Sequence, residues 1–116
     1  MIPVSEFKER VVRLQAEMAK EGFDYILAYG NEAEPQYVRY FSDYWPSFET
    51  AGVLIPAKGE AFLLIGPESY TYAADRSKIP AIRLVKAFRE SSEPEYPGKK
   101  LDTFESIFEE AGITLL

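Results

Sequence analysis

Ala51-Gly52-Val53-Leu54-Ile55-Pro56-Ala57-Lys58-Gly59-Glu60-Ala61-Phe62-Leu63-Leu64-Ile65 is the stretch whose reading decides the fold. Two apolar runs flank a short connection holding Pro56 and Gly59, residues that supply the fixed or positive φ of a tight turn. The spacing predicts an antiparallel hairpin, Ala51–Ile55 against Ala61–Ile65. Upstream, Tyr25-Ile26-Leu27-Ala28-Tyr29 is a near-continuous apolar run ending at Gly30-Asn31. Such a run predicts a strand covered on both faces, as at the centre of an α/β sheet. Downstream, Ala81 to Ala87 reads as a further strand nearer an edge, because its alternation is imperfect.

Helical segments separate these strands. Phe7, Val11, Leu14 and Met18 recur at spacings of four, three and four, one helical stripe. Ser5 is expected as its N-cap and Gly22 as its C-terminal stop. Glu6 with Arg10 and Glu9 with Arg13 stand four apart, acid first, and read as a solvated charged face. A second helix is expected over Glu32–Tyr44, starting near Pro35, with Trp45 turned out of helical geometry by Pro46. A short helix over Pro67–Arg76 and another over Thr103–Ala111, stopped by Gly112, complete the set. Arg89 to Lys100, with Ser91-Ser92, Pro94 and Pro97-Gly98, reads as a loop excursion within the domain, and Ile113–Leu116 as the opening of another strand. Helices alternating with strands around one hairpin predict an α/β domain with a mixed sheet.

Composition sets the chemical limits. The chain has 116 residues, 47% hydrophobic and 28% charged, a soluble globular profile with room for one domain, residues 1–116. It has no histidine and no cysteine. That excludes zinc sites built on Cys or His, Ser-His and Cys-His nucleophile systems, and iron–sulfur clusters. Carboxylates remain. Asp24, Asp43, Glu49, Glu68 and Asp75 fall near element ends, but a two-metal nuclease site needs several of them at one sheet end, and their spacing does not encourage it. No phosphate-binding glycine pattern occurs. A net charge of -6 argues against binding nucleic acid through its phosphates. No apolar run approaches the ~20 residues of a membrane span. The start of the chain is not a secretory signal, and the expected location is cytoplasmic.

Tyr37, Tyr40, Phe41, Tyr44, Trp45 and Phe48 fall within one short segment. Two or three aromatics fill the core stripe of a helix; six exceed it, so some belong at the surface, where aromatics favour a partner or ligand. A stand-alone binding module using the Tyr37–Phe48 cluster is therefore one functional reading.

The order of segments adds another. Glu21-Gly22-Phe23-Asp24-Tyr25-Ile26-Leu27, then Val38-Arg39-Tyr40-Phe41-Ser42-Asp43-Tyr44, then the hairpin and Gly66-Pro67-Glu68 together resemble the N-terminal domain of the creatinase/prolidase/aminopeptidase P family over nearly the whole chain. Phe41 stands for the usual Leu, Tyr37 for a common Asn, and Asp43 for a usual Gly. Asp tolerates left-handed backbone, so the turn is expected to survive. The resemblance implies a ribonuclease-H-like mixed, mainly parallel sheet with helices on both faces. It implies a non-catalytic domain ahead of a separate C-terminal catalytic domain, the chain's expected partner and the place of any divalent metal pair. In the family that pair is held by two Asp, one His and two Glu, and peptidase members cleave the bond before proline. This chain alone then needs no cofactor and has no catalytic residue. The chain is expected to be cut from a longer one that forms a homodimer. The loop holding Asp43, Tyr44, Trp45 and Phe48 is expected to face the catalytic domain or the substrate.

Overall fold

A computed structural model of the chain describes residues 2–46, 49–88 and 101–113. Phe48, the Arg89–Lys100 excursion and Thr114–Leu116 lie outside the described residues.

The described residues form a four-stranded sheet and four helices. The order is α1 (Val4–Glu21), β1 (Tyr25–Gly30), α2 (Gln36–Ser42), β2 (Ala51–Pro56), β3 (Phe62–Ile65), α3 (Tyr70–Arg76), β4 (Ile82–Leu84) and α4 (Phe104–Glu110), with 3-10 turns at Pro67–Ser69 and Lys86–Phe88. The strands lie in the order β1-β2-β3-β4. The hairpin is formed as the sequence predicts, with Val53 opposite Leu63. The sheet is mixed, but its balance differs from expectation. β1 and β2 are antiparallel, β2 and β3 are antiparallel, and among the described strands only β3 and β4 run parallel. The expectation of a mainly parallel sheet is corrected to that extent. β1 enters the hairpin pair from outside instead of crossing over beside β4.

Side chains alternate across the sheet and divide the core in two. Val53, Ile55, Leu63 and Ile65 face one side, where they meet Val11 and Met18 of α1, Val38 and Phe41 of α2, and Ala73 of α3. Leu54, Phe62 and Leu64 face the other, where they meet Ile107 and Phe108 of α4. Helices thus cover both faces, and β2 and β3 are buried along their whole length. Among the described strands β1 lies at the end of the order, half-buried over most of its length, with Tyr29 49% exposed. The apolar run reported that helices cover both of its faces; it carried no information about lateral neighbours.

Ends of helices follow local chemistry. α1 stops at Gly22 in the left-handed region (φ 75), as predicted. Its N-cap is Pro3, with no side-chain cap, so Ser5 lies inside the helix and does not cap it. α2 is shorter than expected because Asn31 Oδ1 accepts from the N–H groups of Ala33 and Glu34, at 3.0 and 2.8 Å, and holds that segment in a turn. α4 starts in a capping box: Ser106 N–H donates to Thr103 Oγ1 at 3.1 Å, and Thr103 N–H to Ser106 Oγ at 3.0 Å.

The charged face of α1 does more than meet solvent. Arg10 Nε donates to Glu6 Oε1 at 3.2 Å, and its Nη1 donates to the carbonyl of Tyr40 on α2 at 2.7 Å. The guanidinium lies over the rings of Phe7, at 4.8 Å, and Tyr40, at 4.4 Å. Arg10 joins the two helices, and the reading of it as a plain solvated charge is corrected.

Candidate functional site: the loop after the second helix

β1, β3 and β4 share one direction, so their carboxyl ends lie at the same end of the sheet, where sites of open α/β sheets collect. The chain leaving α2 runs there. Its first residue, Asp43, has φ 61, the only positive φ outside glycine among the described residues. Its N–H donates to Arg39 C=O at 2.8 Å, closing α2 with a left-handed cap. The Asp43 carboxylate lies 3.6 Å from Lys78 Nζ, and Lys78 N–H donates to Ser42 C=O at 2.7 Å. The turn that usually asks for Gly is made by Asp, as expected, and is tied to the segment entering β4.

Tyr44 follows and points inward. It is 1% exposed and packs edge-on against Tyr72, ring centres 5.6 Å apart. Its phenol is pushed above the ordinary tyrosine range, first by burial; Ser69 beside it opposes the shift and the Glu49 charge adds to it. The expectation that Tyr44 faces a substrate or partner is corrected on exposure alone: its side chain supports the loop from beneath. Trp45 turns the other way. It is 46% exposed, its indole N–H donates to Glu32 C=O at 3.4 Å, and the Arg39 guanidinium stacks over it at 4.6 Å. Trp45 therefore bridges the end of α2 and the end of β1 while staying half-exposed among the described residues. Tyr37 and Tyr40 are also exposed. Of the six clustered aromatics, Phe41 and Tyr44 enter the core, and Phe48 lies outside the described residues.

One of the carboxylates near element ends is buried, which its sequence context did not predict. Glu49 is 4% exposed, and Ser69 Oγ donates to its Oε1 at 2.6 Å. Glu49, Ser69 and Tyr44 form a buried polar cluster under the loop. An apolar neighbourhood on both sides, Pro46 and Ala51, was the available signal for burial of Glu49. Asp24 lies at the opposite end of β1, and Asp75 is exposed beside Arg76. Among the described residues no three carboxylates come together as a metal site, so the two-metal nuclease arrangement has no counterpart there. What the loop offers is an aromatic and cationic rim, Trp45 and Arg39, on a buried polar footing.

The sequence matches the family model of the creatinase/prolidase N-terminal domain over residues 10–114. The chain belongs to that family. The comparison with curated proteins matched none. Among solved structures, it is similar to the N-terminal domain of the cytoplasmic peptidase PepQ from Mycobacterium tuberculosis, at 25% identity and a TM-score of 0.58 over 68% of this chain and 57% of that one. It is similar to a creatinase/prolidase-like N-terminal domain from Corynebacterium diphtheriae at 20% identity and a TM-score of 0.58, covering 68% of this chain and 59% of that one. It also resembles the prolidase from Pyrococcus horikoshii, at 22% identity and a TM-score of 0.58 over 90% of this chain but 30% of that one. The chain thus spans somewhat over half of the two isolated domains and under a third of the prolidase. Among the described residues no helix is long and apolar enough to cross a membrane.

Proposed function

We propose that the chain is the non-catalytic N-terminal domain of an Xaa-Pro peptidase-like metallopeptidase, and that it shapes access of substrate to a catalytic domain and contributes oligomer contacts. The observation that carries the reading is the family match along residues 10–114. The similarity to N-terminal domains of peptidases supports it. The metal pair and the catalytic acids and histidine belong, on this reading, to a C-terminal domain, and the working location is the cytoplasm. The rim made by Trp45 and Arg39 is the surface offered to substrate or to the catalytic domain, with Asp43 and Tyr44 setting its position. Phe48 belongs to the same loop in sequence.

The test is kinetic. In the protein that contains this domain together with a catalytic domain, Trp45→Ala is expected to change KM for proline-containing peptides, or their length preference, at near-unchanged stability. Unaltered kinetics with a large loss of stability makes Trp45 a packing residue and removes the rim from the proposal. Metal-dependent cleavage of an Xaa-Pro peptide by residues 1–116 alone overturns the non-catalytic assignment. The exposure of Tyr37, Tyr40 and Trp45 also suits a stand-alone binding module. A coding sequence that ends at Leu116 favours that second reading; one that continues into spaced Asp, Asp, His, Glu and Glu favours the first.

A further inference from the structure

A groove runs between α1 and the hairpin turn. Gln15 Nε2 donates to the carbonyls of Pro56 and Gly59, each at 2.9 Å, and pins the turn against the helix. Beside that tie the packing leaves a space of about 220 Å³. Its floor is the buried apolar surface of Phe7, Val11, Phe41 and Ile79, and Val12, 62% exposed, stands on its rim. The segments outside the described residues join the fold elsewhere. Glu49 and Phe88 meet at Gly66, the far end of β3 from the turn, and Ile113 packs on the other face of the sheet with Leu54 and Phe62. Three charged side chains line the groove. Lys78 has the Asp43 carboxylate at 3.6 Å. Lys8 on α1 and Glu60 on the turn have no ion-pair partner among the described residues. Gln15 marks where the turn meets α1, and Lys8 precedes it by two helical turns, roughly 10 Å along the axis. The groove therefore has an unmatched ammonium toward one end, an unmatched carboxylate toward the other, and an apolar floor between them.

We propose that this groove binds a short apolar peptide as its zwitterion, with the C-terminal carboxylate on Lys8 and the N-terminal ammonium on Glu60. The argument is charge complementarity across an apolar floor, the usual make-up of a small-ligand site. Each unmatched charge gains its opposite, and the ligand's side chains cover the floor and Val12. A simple apolar acid satisfies Lys8 and leaves Glu60 facing a like charge; an apolar amine does the reverse. Length follows from the spacing. An extended chain spans roughly 3.3–3.6 Å per residue, so two or three residues, met by the flexible stem of Lys8, bridge the two ends, and a single amino acid does not. The volume agrees, since a cavity of ~150 Å³ already holds a benzene ring. Neither Trp45 nor Arg39 is among the lining residues. The site thus goes beyond the function proposed above, and its failure leaves the family reading and the Trp45 rim standing.

The experiment titrates the dipeptide Leu-Leu into the 116-residue chain and follows the methyl NMR signals of Val11, Val12 and Ile79. Saturable shifts of these methyls are expected. N-acetyl-Leu-Leu lacks the ammonium and Leu-Leu amide lacks the carboxylate; each is expected to bind about threefold or more weakly, the scale of an exposed ion pair. Gly-Gly, without the apolar side chains, should give no saturable shift. Lys8→Ala is expected to weaken Leu-Leu by about the same factor and to leave the affinity for Leu-Leu amide unchanged. Glu60→Ala should do the same with respect to N-acetyl-Leu-Leu. Added salt should weaken Leu-Leu more than either blocked peptide. No saturable shift at tens of millimolar peptide overturns the proposal. So does equal affinity for Leu-Leu and either blocked form, which marks apolar adhesion without the charge match, and so do shifts centred on Trp45 instead of Val12. The blocked peptides need no variant, and Lys8 and Glu60 are both exposed, so a folding defect cannot stand in for a negative result.

Discussion

The carboxylate of Glu49 occupies the space that a side chain at Gly66 requires. A Cβ built on Gly66 lies 2.1 Å from Glu49 Oε2 and 2.5 Å from the carbonyl oxygen of Phe88. The end of β3, the loop before β2 and the turn after β4 therefore close on one another only because residue 66 has no side chain. Glu49 is held there by Ser69, three residues past Gly66, so the glycine and the serine together make room for a buried acid and satisfy it.

Gly66→Ala is expected to destabilise the domain by about 1–3 kcal/mol, the usual cost of overpacking where the neighbours are backbone and a held carboxylate. Urea unfolding followed by far-UV circular dichroism measures it. A change within about 0.5 kcal/mol, the range of an unremarkable surface substitution, shows that the contact relaxes freely.

Asp43 carries a left-handed backbone (φ 61) and an ion pair with Lys78. Asp43→Ala keeps the strain and loses both the tolerant side chain and the pair, and is expected to cost about 1 kcal/mol. Asp43→Gly loses the pair and relieves the strain, and is expected to stay within about 0.5 kcal/mol of the parent, because a partly solvated pair at 3.6 Å contributes little. Equal losses in the two variants, measured by the same unfolding experiment, rule out backbone strain as the reason for residue choice here.

Arg10 uses separate nitrogens to reach Glu6 and the Tyr40 carbonyl while its plane covers two rings. A lysine has one ammonium and no plane, so Arg10→Lys is not conservative at this place. A loss of about 1–2 kcal/mol is expected, near that of one hydrogen bond to a charged group. Faster amide exchange in α2 than in the sheet locates the loss at the α1–α2 contact; a loss spread evenly over the domain argues against it.

Tyr44 has a raised pKa, chiefly from burial. The folded state thus favours the protonated phenol. Its contribution to stability is fully present below the unfolded value, about 10, and is lost as pH rises through the higher folded value. Absorbance titration should show one of the eight tyrosines ionising last and together with alkaline unfolding. In Tyr44→Phe that late step disappears. A Tyr44 phenol that titrates with the exposed tyrosines refutes the burial account.

Much of the architecture was legible along the chain because its signals are local. Hairpin Pro56–Gly59 chemistry, the stripe of Phe7, Val11 and Met18, the stops at Gly22 and Gly112, and the Gly-like turn at Asp43 all depend on neighbours within a few residues. The order of those segments was enough to indicate the family. The aromatic cluster was visible as an excess, and the division of it was not: Phe41 and Tyr44 go inward while Tyr37, Tyr40 and Trp45 stay out. One residue's step along a helix or turn decides that, and the second helix is shorter than its pattern suggested because Asn31 takes over its first turn.

By itself the sequence determined the chemistry this chain lacks, the helices and strands in order, and the family to which it belongs. Only the tertiary structure decided the order in which the described strands pair, that Glu49 sits buried against Gly66, and that Arg10 ties two helices together. Periodicity records which faces of an element are covered. Lateral pairing, and contacts between residues far apart in the chain, depend on how the elements close on each other, and no local pattern in the sequence records that closure.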